Sequence, residues 1–472
     1  MTPAIGPIGL DYVAGSAACA GIDAEVFDLC FAEDPSEALK EHFASQQPEL
    51  VGVSFRNADD SFWLSADWFV PELKRTVETV RAATEAPIVI GGVGFSIFAG
   101  EIIEFVRADF GIRGDGETAI VSLVRQLRGA GEFAEVPGLI WRSAGEIRNN
   151  QPCWPEPFST PTARSFVDNA RYFREGGQCG VETKRGCNRR CIYCADPLAK
   201  GSRVRLRDPY EVADEVESLL LQGIDVLHLC DSEFNVPPSH AKAICEEFTR
   251  RLLGDKVRWY AYASPTGFDA ELAALMARAG CVGINFTGDS ACGLMLKTYR
   301  QEHSREDLAR AVRLCRRNDI AVMIDLLLGG PGETPQTVQE TIDFLKKINP
   351  DCAGAALGVR IYPGTVMGEI AAQEYGDGKK ASIRRKYSGP IDLFKPTFYV
   401  SEALGERPAE LVRDLIDGDQ RFFEPDADAS DGSSQSNGPD SYNYNENLPL
   451  VEAIRKGARG AYWDILRRLR GL

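Results

Sequence analysis

Histidine is scarce in this chain. Four residues, His42, His228, His240 and His303, are scattered through 472 positions. None lies beside the others in sequence to suggest an imidazole metal motif. Basic charge is also short: 53 Lys and Arg stand against 69 Asp and Glu, a formal net charge of −16. That balance excludes a large phosphate-binding face and argues against nucleic acid as a partner. No run approaches the ~18 consecutive apolar residues of a membrane span, and none is expected. The opening MTPAIGPIGLDYVAG has no basic stretch before an apolar core. It is not a secretory signal, and a cytoplasmic location is expected. Regular cysteine spacing is missing too. Ten of the 13 cysteines, Cys19, Cys245 and Cys315 among them, lie in apolar patterns and read as small buried hydrophobes.

The other three stand together. GCNRRCIYC (186–194) holds Cys187, Cys191 and Cys194, and such a cluster in a reducing compartment suggests metal before disulfides. A structural zinc wants four protein ligands. The nearest candidate for a fourth is Cys179, on the strand before. A cubane of four irons wants a ligand per iron. Three thiolates leave one iron open to a small molecule, and an open coordination position is a catalytic device.

A chain this long implies more than one domain. Residues 1–145 alternate helix and strand, with EVFDLC (25–30), ELVGVSF and PIVIGG among the strands. That pattern predicts a Rossmann-like parallel sheet covered on both faces, α/β in class, although no strand precedes the first helix. Ligands of such sheets sit at the carboxyl ends of the strands. Those ends carry SFRNADD (54–60), GGVGFS (91–96) and GDGE (114–117), small and glycine-rich as a large planar ligand needs. Residues 146–175 read as a linker with a small hairpin, VPGLIWRSAGEIRNN, and a proline-rich stretch. A second alternation over 176–365 has six strand–helix units and predicts a partial (β/α)6 barrel of the TIM type, its active residues at the strands' carboxyl ends. The cysteine loop follows the first of those strands. Residues 366–472 read as a mainly helical region covering the substrate, with KPTFYVSEALG (395–405) over the barrel mouth. Acidic, polar 424–447 reads as a disordered loop.

The CxxxCxxC spacing, with Tyr193 before the last cysteine, resembles the signature of the radical S-adenosylmethionine (SAM) superfamily. PIGLDYVAG, PELVGVSFRN, PIVIGGVGFS and DFGIRGDGET resemble the cobalamin-binding domain that precedes many such barrels. Together the matches cover roughly residues 6–365. They identify the chain as similar to cobalamin-dependent radical SAM enzymes, of the type that methylates tryptophan in thiostrepton assembly. The resemblance implies a [4Fe–4S] cluster on Cys187, Cys191 and Cys194, with SAM chelated to the open iron and cleaved to a 5′-deoxyadenosyl radical. It places Tyr193 beside the adenine, Gly329 and Gly330 of LLLGGPGET near it, and Asn285 of GINFTGDS against the ribose or methionine. The usual GGE motif after the second strand is replaced by CDSEFNVPP, so Glu233 or Asp231 stands toward the amino group. It implies cobalamin contacts from Ser54, Arg56, Asn57, Gly91, Gly92, Gly94, Gly114, Gly116 and Glu117.

One departure concerns cobalt. The D-x-H-x-x-G motif, whose histidine ligates cobalt from below, is absent, and His42 lies in a helix facing solvent. Arg56 falls where the corrin's lower face would lie. A charged guanidinium has no lone pair to offer, and its field disfavours another axial donor. The competing reading pairs Arg56 with Asp59 or Asp60 on its own loop. The resemblance implies methyl transfer from SAM through methylcobalamin to an unactivated centre of a small biosynthetic intermediate or peptide, with an external electron donor of the flavodoxin or ferredoxin type. Two alternatives remain. One is rearrangement, cyclisation, ring contraction or heteroatom exchange without methyl transfer. The other is a non-catalytic cobalamin and iron–sulfur sensor. Tyr262 on the third barrel strand and Arg360 and Tyr362 at the end of the sixth are the candidates for catalysis.

Overall fold

The computed structural model describes residues 2–129, 131–376, 380–426 and 440–472. The first sheet runs β1 (Val51–Ser54), β2 (Ile88–Gly91), β3 (Phe110–Ile112), β4 (Leu139–Ser143), β5 (Glu146–Asn149), in that order. The first three strands are parallel, and β4 and β5 are antiparallel additions. The hairpin read as part of a linker from 146 therefore extends this sheet, with Leu139 and Ile140 buried against its core. Helices cover the sheet through apolar stripes at helical spacing. Val70, Leu73, Val77 and Val80 form one such stripe on Val70–Ala83.

EVFDLC, expected as a strand, joins no ladder. Its apolar residues serve two separate cores instead: Val26 packs by Tyr172, and Leu29 packs by the first sheet. The Asp28 side chain accepts from Tyr172 Oη (3.0 Å) and from the Cys30 amide, in place of a strand partner. His42 is half-buried, stacked on Phe27 at 4.2 Å, rather than facing solvent.

The barrel opens with β6 (Cys179–Val181). A short antiparallel ladder, β7 (Lys184–Arg185) with β8 (Arg205–Leu206), flanks the cysteine loop. Then come β9 (Val226–Leu229), β10 (Arg258–Ala263), β11 (Cys281–Asp289), β12 (Ala321–Leu328) and β13 (Cys352–Leu357). Beyond Gly358 the chain leaves the barrel. β14 (Val359–Arg360) pairs instead with β16 (Thr397–Tyr399), which also pairs with β15 (Ile383–Arg385). Gly358 has φ +89°, and a Cβ there would press on Trp63 at 2.8 Å, so only glycine makes this exit. Arg360 and Tyr362, expected at the end of the sixth barrel strand, are thereby carried toward the first domain. A seventh barrel strand, β17 (Phe422–Phe423), pairs parallel with β13. It is too short to show periodicity. The barrel order is β17-β13-β12-β11-β10-β9-β6, all parallel and open between its ends.

The C-terminal helices Leu448–Arg455 and Tyr462–Leu469 close the barrel floor, where Trp463 packs at Gly283 and Asp464 accepts from Tyr260 Oη (2.8 Å). Of the loop expected to be disordered, 427–439 lies outside the described residues. Its flanks are built in: Glu424 bridges Ser441, and Ser441, Asn443 and Asn447 are buried. The aromatic rings in this stretch find a core that its polar composition hides. Of the cysteines read as buried, Cys19, Cys30 and Cys153 are exposed. They sit at a helix end and in loops.

Two buried ionic groups lock the domains together. Asp11 and Tyr12, on the helix Ile8–Cys19, meet Arg164, Glu215 and Arg207. Arg164 pairs with Asp11 and Glu215 at 2.7 Å each. The second group involves the GDGE turn and is part of the site.

Candidate functional site

The cysteine loop hangs from the β7–β8 ladder at the carboxyl end of β6. Gly186 (φ +89°) starts it, because a Cβ would overlap the Arg203 carbonyl. The Cys187 amide donates to Gly201 O (3.1 Å), and Ile192 N–H donates to Tyr299 O (3.3 Å). These bonds leave Cys187, Cys191 and Cys194 all partly exposed, unlike most of the other cysteines. Burial pushes the Cys191 thiol up to about 12, so a metal must displace its proton. Gln301 Nε2 lies 3.4 Å from Cys191 Sγ and 3.2 Å from Tyr193 Oη. The Tyr193 hydroxyl donates to Asp289 (2.6 Å). Among the described residues no group of three His, Cys, Asp or Glu could hold a single ion. A cubane needs no such group, since each thiolate takes its own iron.

One layer deeper, Glu233 accepts from Arg189 Nε (2.9 Å) and Thr287 Oγ1 (3.1 Å). Asp231, the other acidic candidate, is consumed by Thr183 and Lys184: it accepts Thr183 N–H (2.9 Å), Thr183 Oγ1 (2.6 Å) and Lys184 N–H (3.2 Å). It shapes the loop entry and has no reach left for a ligand. The glycine run after β12 is shaped by protein groups. A Cβ on Gly330 would overlap the Tyr299 ring, and Glu333 accepts the Gly329 amide at 2.7 Å. Burial pushes the Glu333 carboxyl up to about 7. Thr334 then caps the helix Pro335–Ile348. The 395–405 segment seals this loop, with Ser401 Oγ donating to Glu333 O (2.7 Å).

Across from the barrel lie the three strand-end loops of the first sheet, tied to each other. Gly94 N–H donates to Arg56 O (2.7 Å), Ser96 Oγ donates to Gly92 O (2.9 Å), and Gly114 N–H donates to Ser96 Oγ (3.0 Å). Gly92 has φ +107°, and a Cβ would stand 2.5 Å from Phe55 O. On Gly94 it would stand 2.9 Å from Arg56 O. These two glycines let the SFRN loop lie directly on the next turn. Ser54 and Arg56 are exposed, and Asn57 and Gly91 are partly so. Gly116 precedes the helix Glu117–Arg128, packed near Val13.

The acidic groups here belong to the seam. Glu117 pairs with Arg185 (2.9 Å), and Asp115 pairs with Arg205 and with Arg185 (3.3 Å). Glu117 thus grips the residue two before Cys187 and has no face left toward a corrin. Asp59 holds Arg360 (2.8 Å), and Tyr362 Oη meets Ser61 Oγ (3.0 Å). Arg360 and Tyr362 fasten the domains through these contacts.

With Asp59 taken by Arg360 and Asp60 bonded to Ser65 and to the Phe62 and Asp67 amides, Arg56 has no partner among the described residues. Its charge reaches His228, Cys230, Tyr262 and Tyr462 on the barrel side. Tyr262 is 38% exposed, yet burial still pushes its phenol up. Asn285, register partner of Tyr262, is 6% exposed, and its Oδ1 has no hydrogen bond.

These features fit the expected groups: three open thiols, a glycine cradle at strand ends, an unpaired cation and a buried amide oxygen without a partner. They define a cobalamin-dependent radical SAM enzyme. The B12 binding domain model matches residues 3–124, and the Radical SAM superfamily model matches residues 181–345. The chain is 30% identical to the tryptophan 2-C-methyltransferase of Streptomyces laurentii, over 98% of this chain and 93% of that protein. The chain belongs to the cobalamin-dependent radical SAM methyltransferases, which are built on cobalamin, a [4Fe–4S] cluster and SAM. The solved structure of TsrM from Kitasatospora setae, with tryptophan and a SAM analogue bound, superposes with a TM-score of 0.89 at 31% identity, covering 100% of this chain and 96% of that one. The cobalamin-dependent radical enzyme OxsB shares the fold, with a TM-score of 0.71 at 16% identity over 85% of this chain and 62% of that one.

Sequence reasoning missed Arg185, Tyr299, Glu333, Asp325 and Tyr442. Glu333 follows the glycine run directly, and a buried acid can bond the amides of such a turn. Arg185 has Glu182 three residues before it, but its contact with Glu117 and the contacts of the others are distant in sequence.

Proposed function

We propose that this enzyme moves a methyl group from SAM to a ring carbon of tryptophan or a closely similar planar aromatic amine. The observation that carries this reading is Arg56, exposed at the strand-end cradle without a hydrogen bond or ion pair among the described residues, its charge acting on Tyr262, His228 and Cys230. The likeness to a tryptophan-bound enzyme over the whole chain supports the substrate. Cysteines 187, 191 and 194 would hold the cluster. Tyr193, Glu233, Gly329 and Gly330 would meet SAM. Ser54, Arg56, Asn57, Gly91, Gly92, Gly94, Gly114 and Gly116 would line the corrin cradle. When bound, the three cofactors supply the methyl group and the electron chemistry.

The chain's own residues orient and insulate. Arg56, charged and without a lone pair, offers positive field and no ligand. No histidine of the first domain stands near it, since His42 lies on the helix Pro35–Ser45 against Phe27. Tyr262 keeps its proton, because burial raises its phenol, and presents Oη to the substrate space. A low-potential donor of the flavodoxin or ferredoxin class would reduce the cluster. No helix of the described residues is long and apolar enough to cross a membrane. Thirteen cysteines without a disulfide suit a reducing cytoplasm.

The test is incubation of the anaerobically reconstituted enzyme with methyl-labelled SAM, reductant and tryptophan. Label on a tryptophan ring carbon with S-adenosylhomocysteine supports the reading. Deoxyadenosine without homocysteine product would place the enzyme among those that move no methyl.

A further inference from the structure

Three acceptors and donors lie on the inner face of the barrel, at and below the level of Thr287, which bonds Glu233. Asn285 stands on β11 beside Tyr262 of β10, and Asp325 stands one pleat up on β12, opposite Thr287. All lie on the inward face of their parallel strands, since side chains alternate with period two. Asp325 is held from the other side by the Tyr442 hydroxyl, from the segment that returns after residue 439. The Tyr442 ring occupies the space a Cβ on Gly354 would need, so this tyrosine is built into the barrel wall. The Asn285 side chain lies near Asp325, and its Oδ1 is left buried and unbonded. An unmade acceptor at such depth costs free energy that the fold does not recover, which marks a place awaiting a donor.

We infer that Asn285 Oδ1 accepts the ring N–H of the substrate, that Tyr262 flanks its planar body, and that Asp325, clamped by Tyr442, positions the amide. The inference rests on the aromatic-amine reading above and assigns the atom that selects for it. It also gives Asn285 to the substrate instead of to the ribose or methionine of SAM. Asn285 lies a pleat below Thr287, which meets Glu233, and deeper than Asp289, which meets Tyr193 beyond a bulge in the ladder. A neutral amide oxygen suits a neutral N–H. A cationic amine would draw the carboxylate instead.

The probes are L-tryptophan and 3-(benzothienyl)alanine, which replaces the ring N–H by sulfur at nearly the same shape. Equilibrium dialysis on the reconstituted holoenzyme measures the affinity of each. Wild type should favour tryptophan by roughly 10- to 100-fold, the worth of leaving a buried acceptor unpaired. Asn285→Leu should erase that preference by weakening tryptophan alone, and Tyr442→Phe, which frees Asp325, should reduce it. Equal wild-type affinity for the two compounds overturns the inference while the substrate reading stands. Binding of neither compound overturns the substrate reading and the inference with it. The wild-type comparison requires no variant to fold.

Discussion

The two sides of the domain seam differ in how they treat charge. On one side four arginines each have an anion: Arg164 with Asp11 and Glu215, Arg205 with Asp115, Arg185 with Glu117, Arg360 with Asp59. On the other, Arg56 stands unpaired toward the barrel interior. Burying a lone charge costs several kcal/mol, so full pairing is the mark of docking surfaces. An unpaired cation on a cradle of glycines serves a ligand that the chain itself does not supply. The GDGE turn illustrates the distinction. Its acids look like ligand contacts in the sequence, but they pair across the seam and leave the glycines to the cradle.

Substitutions can break this contrast. The largest effect is expected at the cysteine loop. Replacing Cys187, Cys191 or Cys194 by Ala should reduce bound iron toward background and abolish labelled product, with folding intact by circular dichroism. Next comes the paired seam. Arg164→Leu strands Asp11 and Glu215 in the interior and should cost about 3–5 kcal/mol in urea unfolding. Glu333 follows. Its acid group is up at about 7 in the fold against 4.5 unfolded. The folded chain therefore holds a proton that the unfolded chain releases, and stability should fall as pH rises from 4.5 to 7. The loss is about 3 kcal/mol at most, and Glu333→Gln should flatten that slope in denaturation curves at pH 5 and pH 8. The smallest stability effect belongs to Arg56. Arg56→Met should change stability by less than about 0.5 kcal/mol while altering the visible spectrum of bound cobalamin and lowering product formation. Destabilisation by Arg56→Met equal to that of Arg164→Leu would erase the distinction between the two sides.

Much of this architecture was legible in the sequence. The six principal barrel strands are apolar runs between helices of regular period, and the cysteine spacing is local. What escaped depends on distance. EVFDLC alternates like a strand, yet Val26 and Leu29 are claimed by separate cores. Arg360 follows a strand pattern, but Gly358 turns the chain out of the barrel before it. Tyr442 sits in a polar, acidic stretch, and only the three-dimensional fold brings it to Asp325. Asn285 was visible as a candidate. The depth that gives it to the substrate was not, because periodicity shows which face a residue takes and says nothing of which ligand lies above it.

The central claim is that this chain holds a cluster with one iron left unligated by cysteine, facing a corrin above Arg56. Metal and corrinoid analysis of the anaerobically reconstituted protein, with its ultraviolet–visible spectrum, tests it most directly. About four irons and one cobalamin per chain are predicted. Zinc in place of iron, or failure to retain any corrinoid, would contradict it.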